Sequence, residues 1–129
     1  MANVIHETPS SFSVLSGDDA LTIPLMALGG RGVISVVSNQ IPAEMTHLAQ
    51  ACLQNDFETA RHLQAQYLAL MNVNFIEANP IPVKAAMGLM RLLEPVYRLP
   101  MCPPTAASLT RIEKVLESAG LLGRVRVAG

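Results

Sequence analysis

The chain has 129 residues, half of them apolar and 15% charged, with a formal net charge of -1 at pH 7. That is enough apolar chain to bury a core in one domain of ordinary size, which excludes an intrinsically disordered segment. Nine Lys and Arg against ten Asp and Glu leave neither a broad basic face for nucleic acid nor an acidic tail, so small molecules or other proteins remain as partners.

From the N-terminus, Met1 to Glu7 reads as the last two turns of a helix with no cap before it, followed by a turn at Thr8-Pro9-Ser10. No secretory leader is evident there, because His6 and Glu7 fall where a long apolar core would be needed, and the cytoplasm is the expected compartment. Two short apolar runs, Phe12 to Leu15 and Val33 to Val37, predict strands, and a short helix starting near Thr22 and stopping at Gly29-Gly30 separates them. Pro24 lies in that helix's first turn, where its missing N–H is harmless. The second run, Val33-Ile34-Ser35-Val36-Val37, is apolar on both alternating faces, which suits a covered strand of a parallel sheet. The stretch from Leu21 to Val37 is broken by Pro24, Gly29, Gly30, Arg31 and Gly32, so a simple transmembrane helix is not expected.

Helices then take over. Pro42 opens one with Met45, Leu48, Ala49 and Cys52 on one face, ending near Asn55; Asp56 can cap the next, which carries Ala60, Leu63, Tyr67, Leu70 and Met71. Asn79-Pro80-Ile81-Pro82 is a rigid connector into a helix with Val83, Ala86, Met87 and Met90 on one side, fading by Leu93-Glu94-Pro95. A proline-rich loop leads to a last helix with Leu109, Ile112, Leu116 and Ala119 as its stripe and Gly120 as its stop, and the tail Gly123 to Gly129 reads as frayed. Two strands cannot make a stable sheet alone, and the helices carry more apolar surface than two strands can cover. The pattern therefore predicts strands supplied from upstream.

Several residues that invite a chemical reading have plainer ones. Cys52 and Cys102 lack both a disulfide framework and zinc-site spacing, and read as ordinary reduced thiols. His6, His47 and His62 are scattered on helices with no carboxylate or serine at a pairing distance, so surface histidines are expected and no metal site is predicted. Gly29-Gly30-Arg31-Gly32 precedes a strand instead of opening a helix and lacks a P-loop ending, which makes it a helix stop. The seven methionines sit mostly at core spacing.

Four motifs accumulate in order: Ser16-Gly17-Asp18-Asp19 after a strand, Gly32-Val33-Ile34-Ser35-Val36 as a strand, Asn79-Pro80-Ile81-Pro82-Val83-Lys84, and Arg98-Leu99-Pro100-Met101. With Ser118-Ala119-Gly120-Leu121-Leu122 near the end, the set resembles the C-terminal segment of dihydrodipicolinate synthase over nearly all of residues 1 to 122. Sister aldolases such as N-acetylneuraminate lyase share the architecture, but the wording of the first and third motifs is closer to the synthase. The resemblance implies an α/β fold, a (β/α)8 TIM barrel followed by a C-terminal helical domain, usually assembled as a homotetramer. It implies a lyase that forms 4-hydroxy-tetrahydrodipicolinate from pyruvate and aspartate semialdehyde, in lysine biosynthesis through diaminopimelate, with no cofactor. On that template residues 1–55 hold the end of the sixth helix and the seventh and eighth βα units, residues 56–122 the C-terminal helical domain, and 123–129 a tail.

The same template puts the Schiff-base lysine on a sixth strand that this chain lacks, together with the proton-relay tyrosine and threonine, an arginine at the mouth of the site and the allosteric lysine pocket. No catalytic residue is therefore expected here. Lys84 falls inside a motif, but that motif starts a C-terminal helix, so an ion-pair or packing role is expected; Lys114 reads as solvated. What the resemblance does carry over is a substrate-binding rim of Gly17, Asp18 and Ile34, with the backbone carbonyl of Ile34 facing the pyruvate adduct. From spacing alone, Gly17-Asp18 is equally a strand-to-helix turn with Asp18 or Asp19 as a cap, and Ile34 a core strand residue. Two functions stay open: a partial lyase completed by an N-terminal piece, and a non-enzymatic truncated paralogue whose exposed helix faces bind copies of itself or a full-length enzyme.

Overall fold

The computed structural model describes residues 1–122; the tail expected to fray, 123–129, lies outside the described residues. Ten short elements follow in order. They are α1 (Ala2–Glu7), β1 (Leu15–Ser16), a 3-10 turn (Asp19–Leu21), α2 (Thr22–Ala27), β2 (Gly32–Val33) and a second 3-10 turn (Val37–Asn39). Four helices complete the chain: α3 (Pro42–Leu53), α4 (Phe57–Val73), α5 (Ile81–Leu89) and α6 (Ala106–Ser118). No helix among the described residues is long and apolar enough to cross a membrane.

The chain forms two compact units, Met1–Leu68 and the residues from Ala69 onward, the division falling within α4. In the first unit, β1 and β2 pair in parallel with Leu15 opposite Gly32 and Ser16 opposite Val33, joined through α2. The helix stop between them works as its glycines require. Gly29 has φ +107, which a side chain would strain, and a Cβ on Gly30 would stand 2.7 Å from Leu25 Cγ and 2.9 Å from the Leu25 carbonyl oxygen. Leu25 and Met26 of α2, Val37, Ile41, and Met45, Leu48, Ala51 and Cys52 of α3 are buried. Asn55, with φ 61, turns the chain into α4, where the Asp56 carboxylate accepts the Thr59 N–H at 3.1 Å. Hydrogen bonding from the Thr59 side chain, and then that backbone bond, hold the Asp56 carboxyl below its usual value.

In the second unit α5 buries Ile81, Pro82, Val83, Ala85 and Ala86 and packs on α6, which buries Ile112 and Leu116. α5 closes at Leu89, earlier than the Leu93-Glu94 expected, because Arg91 takes a left-handed φ of 58 and Leu92 N–H bonds back to the Met87 carbonyl. Pro82 sits one position later than the first helical residue, Ile81. Thr105 caps α6 by accepting the Ser108 N–H, and Gly120, with φ 66, ends it.

The strands are where the structure departs furthest from expectation. Phe12 to Leu15 and Val33 to Val37 were predicted; the ladder holds Leu15–Ser16 and Gly32–Val33. Backbone bonds from Arg31 N–H to the Val14 carbonyl and from Ile34 N–H to the Ser16 carbonyl, both 2.8 Å, extend it by one step at each end. Beyond that, Val36 and Val37 leave the extended path because their N–H groups are taken by a carboxylate, described below, which starts a 3-10 turn. Nor is the second run covered on both faces: Ile34 is 71% exposed. Among the described residues, neither outer edge of the sheet has a partner strand.

Candidate functional site

The expected site residues converge where both strands end. Ser16, at the end of β1, is buried, and its hydroxyl donates to the Asp18 carbonyl at 2.7 Å while accepting the Asp18 N–H at 3.2 Å. This tight loop projects Gly17 outward. The Asp18 carboxylate accepts the Ala20 N–H at 2.9 Å, capping the first 3-10 turn. Ile34 lies directly across, its N–H on the Ser16 carbonyl. Gly17, Asp18 and Ile34 are therefore neighbours at one end of the parallel pair.

At Gly17 an added Cβ would meet nothing within 4 Å, and its φ is not among the chain's left-handed glycines. Neither packing among the described residues nor backbone conformation demands a glycine there. A groove of about 380 Å³ lies to one side, lined by Leu15, Gly32, Val33, Ser35, Met45 and Leu53 among others, and none of the three rim residues lines it.

Asp19 is the residue that spacing alone undersold. It is 1% exposed, and Oδ2 accepts the N–H groups of Val36 at 3.1 Å and Val37 at 2.8 Å. Oδ1 is buried with no hydrogen-bond partner among the described residues. The sequence offered Asp19 as a local cap; the N–H groups that donate to it are 17 and 18 residues further on, visible only once the two strands are registered.

Other candidates fall where they were expected or find unforeseen partners. Lys84 donates to the Val96 carbonyl and lies 5.4 Å from the Tyr97 ring centre, so it ties α5 to the following loop through a carbonyl and an aromatic face. Burial, with Glu77 adding repulsion, pushes the Tyr97 phenol up. Glu77 accepts both the N–H (3.0 Å) and hydroxyl (2.9 Å) of Thr105, and hydrogen bonding from Ser108 and Thr105 holds its carboxyl below the usual range. Lys114, His6, His47 and His62 are exposed. Cys52 is buried, which raises its thiol, and Cys102 is exposed; both are free. Among the described residues no group of three or more His, Cys, Asp and Glu side chains could hold a metal ion.

A parallel β-α-β unit with polar loop residues gathered at its strand ends, followed by helices, is an α/β arrangement of the kind enzymes use to line a pocket. Comparison with known proteins sharpens that class. A model of the dihydrodipicolinate synthetase family matches residues 1–119, and the chain belongs to that family. The 4-hydroxy-tetrahydrodipicolinate synthase of Koribacter versatilis is 49% identical over 126 residues, 98% of this chain and 42% of the relative. That of Pelodictyon phaeoclathratiforme is 45% identical over 95% of this chain and 41% of the relative. Among solved structures, dihydrodipicolinate synthase from Aquifex aeolicus matches with a TM-score of 0.91 at 41% identity, over 94% of this chain and 41% of that one. The Acinetobacter baumannii enzyme, solved in complex with pyruvate, matches with a TM-score of 0.89 at 33% identity, over 94% and 42%. The chain thus spans about two fifths of the length of the relatives it matches.

Proposed function

We propose that this chain is the C-terminal part of a 4-hydroxy-tetrahydrodipicolinate synthase. In this reading residues 1–55 are the last two βα units of a (β/α)8 barrel and 56–122 its C-terminal helical domain. Gly17, Asp18 and Ile34 form one rim of a pyruvate site whose Schiff-base lysine lies outside the chain. The observation that carries it is the meeting of Gly17 and Asp18 with Ile34 at the strand ends, Gly17 being a glycine that nothing among the described residues requires. The C-terminal ends of parallel barrel strands are where such enzymes build their sites, and a glycine permits close approach of a ligand to the backbone. Family membership and the two-fifths coverage support the rest.

The chemistry assigns this chain a supporting role. A lysine amine adds to the keto carbon of pyruvate and water leaves; the iminium draws electrons from the methyl group, which loses a proton and becomes the enamine that attacks the aldehyde carbon of aspartate semialdehyde. On this side of the site, the Ile34 carbonyl orients the adduct, and Gly17 and Asp18 present backbone and a carboxylate to the incoming substrate. Neither Lys84 nor Lys114 takes part: Lys84 already serves Val96 and Tyr97, and Lys114 is on the solvated face of α6.

The test is reconstitution. This chain is co-expressed with the N-terminal part of the Koribacter versatilis synthase that lies outside the match, and condensation of pyruvate with aspartate semialdehyde is assayed. The pair is expected to turn over while each piece alone is inactive; a soluble, associated pair with no activity contradicts the reading. The exposed Phe12, Leu15 and Ile34 favour a second function, association with a full-length relative without catalysis. Co-purification with an intact synthase, without any gain on adding the N-terminal piece, supports that alternative.

A further inference from the structure

We propose that Asp19 is a positioning residue which locks the exit of β2, carrying Ile34, onto the exit of β1, carrying Gly17 and Asp18. The first N–H groups of a helical turn have no partner inside the turn and need an outside acceptor. At the Val37–Asn39 turn that need is met from two places. Ser35 Oγ takes the Ser38 N–H at 2.8 Å, while Val36 and Val37 both donate to Asp19 Oδ2, from a loop 17 residues earlier. The peptide that carries the Ile34 carbonyl is thereby held from both sides by one loop. Ile34 N–H is fixed on the Ser16 carbonyl before it, and Val36 N–H on Asp19 just after it.

Asp19 is itself immobilised. Its carbonyl accepts the hydroxyl of the fully buried Thr22 at 2.8 Å, and Asp18 next to it is held by its bonds to Ser16 and Ala20. Because Oδ1 is buried without a partner, the bonds at Oδ2 are what the described residues offer to balance the buried group. Asn at this position keeps the volume, but its oxygen accepts the two N–H groups as weaker, uncharged bonds, and its amide NH2 is buried without an acceptor where Oδ1 stands. The catalytic consequence rests on the reading of Gly17 and Ile34 given above; the hydrogen-bond arrangement does not.

The experiment has two arms. In the reconstituted pair, Asp19→Asn is expected to lower kcat, expressed per site titrated with pyruvate and borohydride, by about tenfold or more while the pyruvate KM stays within about threefold, the pattern of misplaced reacting groups; mere loss of stability lowers the number of titrated sites and leaves kcat per site unchanged. In the 129-residue chain, amide hydrogen exchange at Val36 and Val37 is expected to speed up by about tenfold or more in Asp19→Asn, with Ile112 and Leu116 of α6 unchanged. Should the variant fail to fold, scalar couplings across the hydrogen bonds from the Val36 and Val37 nitrogens to Asp19 Cγ, measured in the unaltered chain, decide the matter: their presence supports the lock and their absence overturns it. Unchanged protection at Val36 and Val37, or an unchanged kcat in an active pair, also overturns it. An unaltered pair that is inactive while the couplings are present sinks the functional reading and leaves the lock standing.

Discussion

Asp19 and Lys84 are charged residues inside motifs, and both serve backbone groups, N–H for Asp19 and carbonyl for Lys84. For Lys84 the expectation was an ion-pair or packing role; the partners found are the Val96 carbonyl and the Tyr97 ring. Lys84→Met keeps the stem and removes the donor and the cation over Tyr97. It is expected to lower stability by about 1 kcal/mol in denaturant titration and to leave pyruvate binding by the reconstituted pair unchanged. Glu77 gives a pH signature. Its folded carboxyl is held below the ordinary value by Ser108 and Thr105, so it stabilises the fold above the unfolded carboxylate's value, and that contribution is lost as pH falls through the lowered one. Exchange at the start of α6 should therefore accelerate on acidification through that window, and Glu77→Gln should abolish this pH dependence. A pH response retained in the Gln variant contradicts the assignment. Neither the Glu77–Thr105 contact nor Asp19's second role was legible in sequence, since each joins residues 17 or more positions apart.

At the scale of elements, the helices were readable where their stops and caps are local: Gly120 ends α6, Asp56 opens α4, and the glycine pair stops α2, whereas the Thr105 cap of α6 emerged only with the structure. Thr105→Ala is expected to cost about 1 kcal/mol and to fray the first turn of α6 in exchange measurements. Gly30→Ala should be worse, about 1–3 kcal/mol, because the new methyl group meets the Leu25 backbone as well as its side chain; a thermal melt at unchanged midpoint contradicts the packing described. Strand limits were the weaker part of the reading. A run of apolar residues indicates that a segment is extended, but where it stops depends on what captures its N–H groups. Val36 and Val37 are captured by Asp19, so of a five-residue run only Val33 lies in the ladder and Val37 already begins a turn.

For the whole molecule, a parallel sheet of two strands whose outer edges have no partner strand among the described residues, with the exposed side chains of Phe12, Leu15 and Ile34, is a poor endpoint by itself. The sequence announced this imbalance through its ratio of helix to strand, and the meeting of Gly17, Asp18 and Ile34 became visible only with the strands in register. The central claim is that this chain supplies a rim of the site while the nucleophile comes from elsewhere. Its most direct test is borohydride reduction in the presence of pyruvate, followed by mass analysis of each polypeptide. The account predicts no adduct on this chain, alone or in the reconstituted pair, and one reduced pyruvate adduct on a lysine of the N-terminal piece. A stable adduct on Lys84 or Lys114 contradicts it.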